Sequence, residues 1–139
     1  ATASEKAAPD VGIVLEGTPA DDIPGFTEPQ AILGKGPQIR FYDPTAISNR
    51  RLADLVAEVA AEAGIEIQLA VRRSGGTDAK SIHMPRGGVP TVVIGVPARY
   101  IHSHVSLISW QDYLNTGKLV CELLARLDSA AVERLSDFS

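Results

Sequence analysis

Two histidines, His102 and His104, stand in Arg99-Tyr100-Ile101-His102-Ser103-His104, directly after the apolar run Thr91-Val92-Val93-Ile94-Gly95-Val96-Pro97. An imidazole can ligate a metal or carry a proton near neutral pH, and the carboxyl end of a buried strand is where open α/β sheets place their ligands. A loop histidine can equally be an ordinary surface group, and the residues alone leave both readings open. A second candidate is Glu16, which follows Val11-Gly12-Ile13-Val14-Leu15 and opens a turn-rich acidic segment running to Gly25. A carboxylate abutting an apolar strand must reach water or find a cation. A third is Gly75-Gly76-Thr77-Asp78. Paired glycines let a backbone approach a ligand closely, and Asp78 is placed to cap a short helix starting at Ala79; the same four residues also make an ordinary tight turn. Gly34-Lys35-Gly36 lacks the spacing of a phosphate-binding loop and reads as backbone freedom.

These groups need a scaffold, and the hydrophobic pattern supplies one. Val11–Leu15 and Thr91–Pro97 read as core strands, the first buried on both faces; Ala31–Pro37 reads as a short strand interrupted by glycines, and Gln38–Tyr42 as a strand toward a sheet edge. Ser48 caps a helix through Ala63, with Leu52, Leu55, Val56, Val59 and Ala60 on one side and Gly64 as its stop. Ile65–Val71 alternates as a half-buried strand, and Ser106–Ile108 is briefly extended. Ser109-Trp110-Gln111-Asp112 forms a capping box before a long helix with Leu114, Val120, Cys121, Leu124 and Leu127 as its buried stripe. Cys121 is therefore expected as a small buried residue without an activating neighbour. The tail from Ser129, with Val132 and Leu135, adds one or two helical turns. Alternating strands and helices predict an α/β fold, a partly parallel mixed sheet with helices on both faces.

The chain has 139 residues and a formal net charge of -4, enough for one core and without a basic stripe, so neither nucleic acid nor an anionic membrane surface is expected as a partner. No apolar stretch approaches the roughly 20 residues of a membrane helix. One cysteine excludes an internal disulfide and fits a reducing, cytoplasmic setting. Residues 1–9 begin without methionine and read as the inside of a longer chain or a processed end. The two central strands have few partners to flank them, as in a sheet with part of itself missing.

Several segments together resemble the M42 metallo-aminopeptidases, enzymes also labelled glutamyl or deblocking aminopeptidase and endoglucanase or cellulase M. They are Val14-Leu15-Glu16-Gly17-Thr18, Asp22-Ile23-Pro24-Gly25, Leu33-Gly34-Lys35-Gly36-Pro37, Gly75-Gly76-Thr77-Asp78-Ala79, and Gly88-Val89-Pro90-Thr91 through Gly95-Val96-Pro97-Ala98-Arg99-Tyr100-Ile101-His102-Ser103, in the family's order. The resemblance implies that residues 1–139 are the C-terminal portion of a zinc-peptidase-like catalytic domain, without the N-terminal part and the inserted β-domain. It implies two divalent metals, zinc or cobalt, in the intact enzyme, and none is required to be held by this portion alone. Of five expected ligands it carries over two, Glu16 and His102; the general base belongs to sequence upstream, so no catalytic residue is assigned here. Glu16 stands where the family often has aspartate, and His104 where it usually has proline; His104 is taken as a surface imidazole. Gly75, Gly76, Thr77 and Asp78 would line the cleft of a peptide substrate, and the intact enzyme would be a homo-oligomer. The expected reaction is removal of amino-terminal residues from peptides, with the fragment inactive alone. Two alternatives remain: a non-catalytic module that binds a partner through its exposed sheet edge, and a glycoside hydrolase using Glu16 with Asp21 or Asp22.

Overall fold

Strand β1 (Gly12–Pro19) and strand β5 (Thr91–Arg99) pair in parallel from Gly12↔Thr91 to Pro19↔Ala98 in a computed structural model that describes residues 2–136. β5 is buried at almost every position because it is flanked on both sides: β2 (Gln38–Asp43) runs antiparallel along its other edge, with Ile39 opposite Ile94. β4 (Gln68–Val71) lies parallel to β2, β3 (Ala46–Ile47) folds back on β2, and β6 (Leu107–Ile108) pairs with the end of β5. The sheet is therefore mixed, ordered β1-β5-β2 with β3 and β4 beyond.

The helices are α1 (Thr2–Ala7), α2 (Arg50–Glu62), α3 (Ala79–Ile82), α4 (Trp110–Arg126) and α5 (Ser129–Ser136). On one face Ile39, Val92 and Ile94 pack against Leu52, Val56 and Val59 of α2, Leu119 and Leu123 of α4, and Leu135 of α5. At about 1.5–3 kcal/mol for each fully buried large aliphatic side chain, this layer is the larger source of hydrophobic stabilisation. The other face carries only a small cluster, Val14 and Val93 against Ala79 and Ile82 of α3. Helices thus lie on both faces, as expected, but the thin cover on the second leaves room for polar side chains there.

Several local expectations are corrected. β1 does not stop before Glu16: pairing continues to Pro19, so Glu16 lies within the strand opposite Gly95. Nor is β1 buried on both faces, since Leu15 is 54% exposed and no strand among the described residues pairs with its outer edge. β2 is an interior strand, with Ile39 fully buried, because β5 and β4 cover its two edges. Residues 31–37 form no strand. Gln68 ties Ile32 and Gly36 through its side-chain amide, Asp112 accepts the amides of Gly34 and Gly36, and both glycines adopt positive φ. Those side chains replace a strand's ladder. At Gly36, φ +84°, an added Cβ would lie 1.8 Å from the carbonyl oxygen of Glu66.

The cap of α2 is Asn49, whose side chain accepts the Leu52 amide at 2.9 Å; the Ser48 hydroxyl instead donates to the Arg40 carbonyl. Gly64 stops that helix at φ +66°, as expected. The strand predicted over residues 65–71 forms only over Gln68–Val71. Asp78 precedes α3 without a capping hydrogen bond. Ser109 caps α4 by accepting the Asp112 amide, but the reciprocal half of the box is missing because the Asp112 carboxylate is engaged with Gly34 and Gly36. That engagement rotates α4: its buried residues are Asp112, Thr116, Leu119 and Leu123, whereas Leu114, Leu124 and Cys121 are exposed. Val120 and Leu127 remain half-buried against the core.

Candidate functional site

Glu16 and Thr18 alternate with Leu15 and Gly17 along β1 and so share a face with Val14, the face that α3 covers thinly. Gln38 and Arg40 reach them from β2 across the intervening strand β5. They can do so because Gly95 stands between: a Cβ there would come within 2.7 Å of Thr18 Cβ and Cγ2. In that space the Thr18 hydroxyl donates to Gln38 Oε1 at 2.7 Å and accepts from Arg40 Nη2 at 2.8 Å. Arg40 also faces Glu16 Oε1 at 3.3 Å and Asp43 Oδ2 at 3.4 Å.

The electrostatics follow from burial. Desolvation raises the pKa of Glu16; Arg40 opposes the rise, and the negative charges of Asp43 and Asp78 add to it. Asp43 is also pushed up by burial, but the Thr45 hydroxyl and amide together with Arg40 outweigh that and hold it below its ordinary value. The result is an ionised anchor, Asp43, behind an arginine, and a less settled carboxylate, Glu16, at the front.

Glu16 and His102 line one cavity of about 140 Å³, together with Arg40, Arg72, Gly75 and Gly76. His102 arrives there through a turn in which both Tyr100 and His102 adopt positive φ, +59° and +63°. Left-handed backbone at a residue with a Cβ costs roughly 1 kcal/mol and persists where surrounding structure enforces it. Here the Ser103 hydroxyl contacts the carbonyl oxygens of Tyr100 and Val105, each at 2.6 Å. Of the glycine-rich segment, Gly75 and Gly76 reach the cavity and Thr77 and Asp78 do not; Asp78 acts on Glu16 through its charge, and the Thr77 hydroxyl is buried without a hydrogen-bond partner among the described residues. His104 is exposed, consistent with a surface imidazole.

Arg40, Thr18, Gln38 and Arg72 were not singled out by the sequence. Arg40 did carry a signal, a charge within the strand pattern Gln38–Tyr42, which requires carboxylates nearby once that strand is interior.

The acids that follow β1 are already engaged. Arg72 Nη1 donates to both oxygens of Asp21, and Arg99 forms a two-point pair with Asp22 at 2.9 and 2.6 Å. The Arg99 hydrogen bonds lower the Asp22 pKa to about 2. A carboxylate so held is no general acid, which leaves it only the role of ionised partner to Glu16 in a glycosidase reading. The pair also sets a pH dependence. Because the folded pKa lies below the ordinary value of 3.8, its stabilisation is fully present above about pH 4 and is lost as pH falls toward about 2. Urea denaturation at a series of pH values should show that loss, and Asp22→Asn should flatten the slope between about pH 4 and pH 2.

Glu16 and His102 offer one oxygen and one nitrogen donor at a single cavity, a donor pair acceptable to Zn²⁺ or Co²⁺. Among the described residues no group of three or more His, Cys, Asp or Glu gathers to hold a metal. The donor types fit a metal centre, and the number of donors falls short of a closed one.

A mixed sheet between helices places the chain in the α/β class. The match is specific: a model of the M42 glutamyl aminopeptidases covers residues 1–119, and the chain belongs to that family. It is 46% identical to a TET aminopeptidase from a marine-sediment Thaumarchaeota archaeon, with a TM-score of 0.93 over 97% of this chain and 38% of that one. It is 32% identical over 130 residues to the glutamyl aminopeptidase of Lactococcus lactis subsp. cremoris, covering 94% of this chain and 36% of the relative. The TET1 peptidase of Pyrococcus horikoshii, which can assemble into a tetrahedron or a large octahedral shell, is 31% identical with a TM-score of 0.66 over 89% of this chain and 36% of that one. The chain thus spans little more than a third of the length of these relatives. Enzymes of the family are metal-dependent, and structural neighbours are oligomeric. Among the described residues no helix is long and apolar enough to cross a membrane.

Proposed function

We propose that residues 1–139 are the C-terminal portion of the catalytic domain of a dinuclear-metal aminopeptidase, and that Glu16 and His102 each bind one of its two divalent metals, zinc or cobalt. The observation that carries this reading is that Glu16, from β1, and His102, from the turn after β5, line the same cavity despite their distance in sequence. When bound, such metals polarise a scissile carbonyl and lower the pKa of a water. The chain's own residues have simpler tasks. Glu16 presents a hard oxygen, His102 a nitrogen, and the backbone at Gly75 and Gly76 borders the space where a peptide terminus would lie, with Thr77 and Asp78 behind it. The general base and the remaining ligands lie in the N-terminal part, which together with an inserted β-domain makes up the rest of the enzyme. The substrate is a peptide that loses its amino-terminal residue, and the intact enzyme is a cytoplasmic homo-oligomer.

Two ligands do not fix a metal pair, because a dinuclear centre needs further ligands and the partners that orient them; what they leave is a residual site for a single cation, enough to bind and stabilise but not to hydrolyse. The isolated chain, supplied with Zn²⁺ or Co²⁺ and an aminoacyl-anilide, is therefore expected to show no steady hydrolysis. Turnover that His102→Ala abolishes would overturn the fragment reading.

A second reading draws on the unpaired outer edge of β1 and the exposed Leu15, Ile108, Tyr113 and Leu114 around an apolar groove of about 700 Å³. An assembly module that docks by strand addition would use the same surface. It predicts exchangeable mixed oligomers and no specific affinity for metal.

A further inference from the structure

Arg40 is 95% buried by the measure of its side chain, which is 5% exposed, and its Nε has no hydrogen-bond partner among the described residues. Taking a guanidinium out of water is costly, and an apolar side chain of similar volume often serves stability as well or better. What the side chain holds therefore matters more than what it adds to the core. Its two terminal nitrogens address three oxygens: Thr18 Oγ1 at 2.8 Å, Glu16 Oε1 at 3.3 Å and Asp43 Oδ2 at 3.4 Å. Two of these are fixed from behind. Asp43 Oδ1 accepts the amides of Thr45 and Ala46 and the Thr45 hydroxyl, and Thr18 is tied to Gln38. The third, Glu16, is 25% exposed and faces the cavity shared with His102. Its carboxylate receives no other hydrogen bond or ion pair among the described residues, so gripping one oxygen leaves the second for a ligand.

We propose that Arg40 is a positioning residue for Glu16: anchored on Asp43 and Thr18 across Gly95, it holds one carboxylate oxygen and turns the other toward a divalent cation in the cavity. This rests on the reading of Glu16 as a metal ligand. Lysine, a point charge without the planar fork, restores the charge but not the bridge.

The sign of one measurement separates positioning from simple charge balance. A cation beside a ligand carboxylate competes with a metal, so an Arg40 that merely neutralises Glu16 would, when removed, leave the metal bound more tightly. An Arg40 that positions Glu16 would, when removed, leave it bound more weakly. The experiment titrates the 139-residue chain with Co²⁺, by absorption spectroscopy and calorimetry, for the unaltered chain, Glu16→Gln, Arg40→Met and Arg40→Lys. The metal-free Arg40 variants are also crystallised. Expected are a loss of affinity of about tenfold or more in Arg40→Met, the range seen when a partner that orients a ligand is removed. Arg40→Lys should recover part of it, and the Glu16 carboxylate should lie displaced from the cavity wall in Arg40→Met. Unchanged or tighter binding by Arg40→Met beside a weakened Glu16→Gln would overturn the inference alone, as would an undisplaced Glu16 in the metal-free variant. If Arg40→Met does not fold, Arg40→Lys decides by the same two readouts. Co²⁺ binding that Glu16→Gln leaves intact, or none by the unaltered chain, would overturn the metal-ligand reading and the inference with it.

Discussion

Replacing Asp112 with alanine is expected to destabilise the fold by about 2 kcal/mol, because the buried Gly36 amide loses its acceptor outright and the exposed Gly34 amide must exchange its own for water. Asp112 is 1% exposed; its Oδ2 accepts the Gly34 amide at 2.7 Å and its Oδ1 the Gly36 amide at 2.9 Å. An orphaned buried amide such as that of Gly36 costs about 1–3 kcal/mol, and hydrogen bonds to an ionised acceptor lie at the strong end. Against a total stability of about 5–15 kcal/mol for a domain, the loss is large. Urea denaturation should show a lower midpoint in Asp112→Ala with an unchanged slope. Asp112→Asn, which keeps one acceptor oxygen, should lose less. Equal effects of the two variants would mean that the helix packing, and not the loop amides, carries the contribution.

The same carboxylate explains where the fold could and could not be read in the sequence. Val92, Ile94, Leu52, Val56 and Val59 announce their burial by runs and spacing that local physics dictates, and the core uses them as expected. The observed face of α4 differs from the expected one because Leu114, Cys121 and Leu124 make a plausible stripe by composition yet stand exposed. A polar residue drawn to the glycine loop sets the rotation instead, and that attraction is long-range. Residues 31–37 misled for the matching reason: their order comes from Gln68 and Asp112, remote in sequence, and not from a neighbouring strand. Gln38–Tyr42 carried too few apolar residues to look interior, because its polar positions face a network and not the core.

The candidate site was legible in part. Glu16 and His102 stood out as reactive groups at the borders of apolar runs, and their meeting at one cavity required the parallel pairing of β1 with β5. The network of Thr18, Gln38 and Arg40 was not legible, since it depends on β2 lying next to β5 and on Gly95 having no side chain to fill the gap. Asp21 and Asp22 looked available for chemistry and are instead held by Arg72 and Arg99, partners distant in sequence.

The second large effect concerns the metal. A cation that binds the folded chain and not the unfolded one stabilises it in proportion to the logarithm of its concentration, by about 1.4 kcal/mol at ten times the dissociation constant. The most direct measurement is therefore the melting temperature of the 139-residue chain across a titration with Zn²⁺ or Co²⁺, repeated for Glu16→Gln, His102→Ala and the double variant. A saturable rise in the unaltered chain, lost in each single variant and no worse in the double one, is the predicted result. No rise, or a rise that survives in the double variant, would contradict the assignment of Glu16 and His102 to one metal centre.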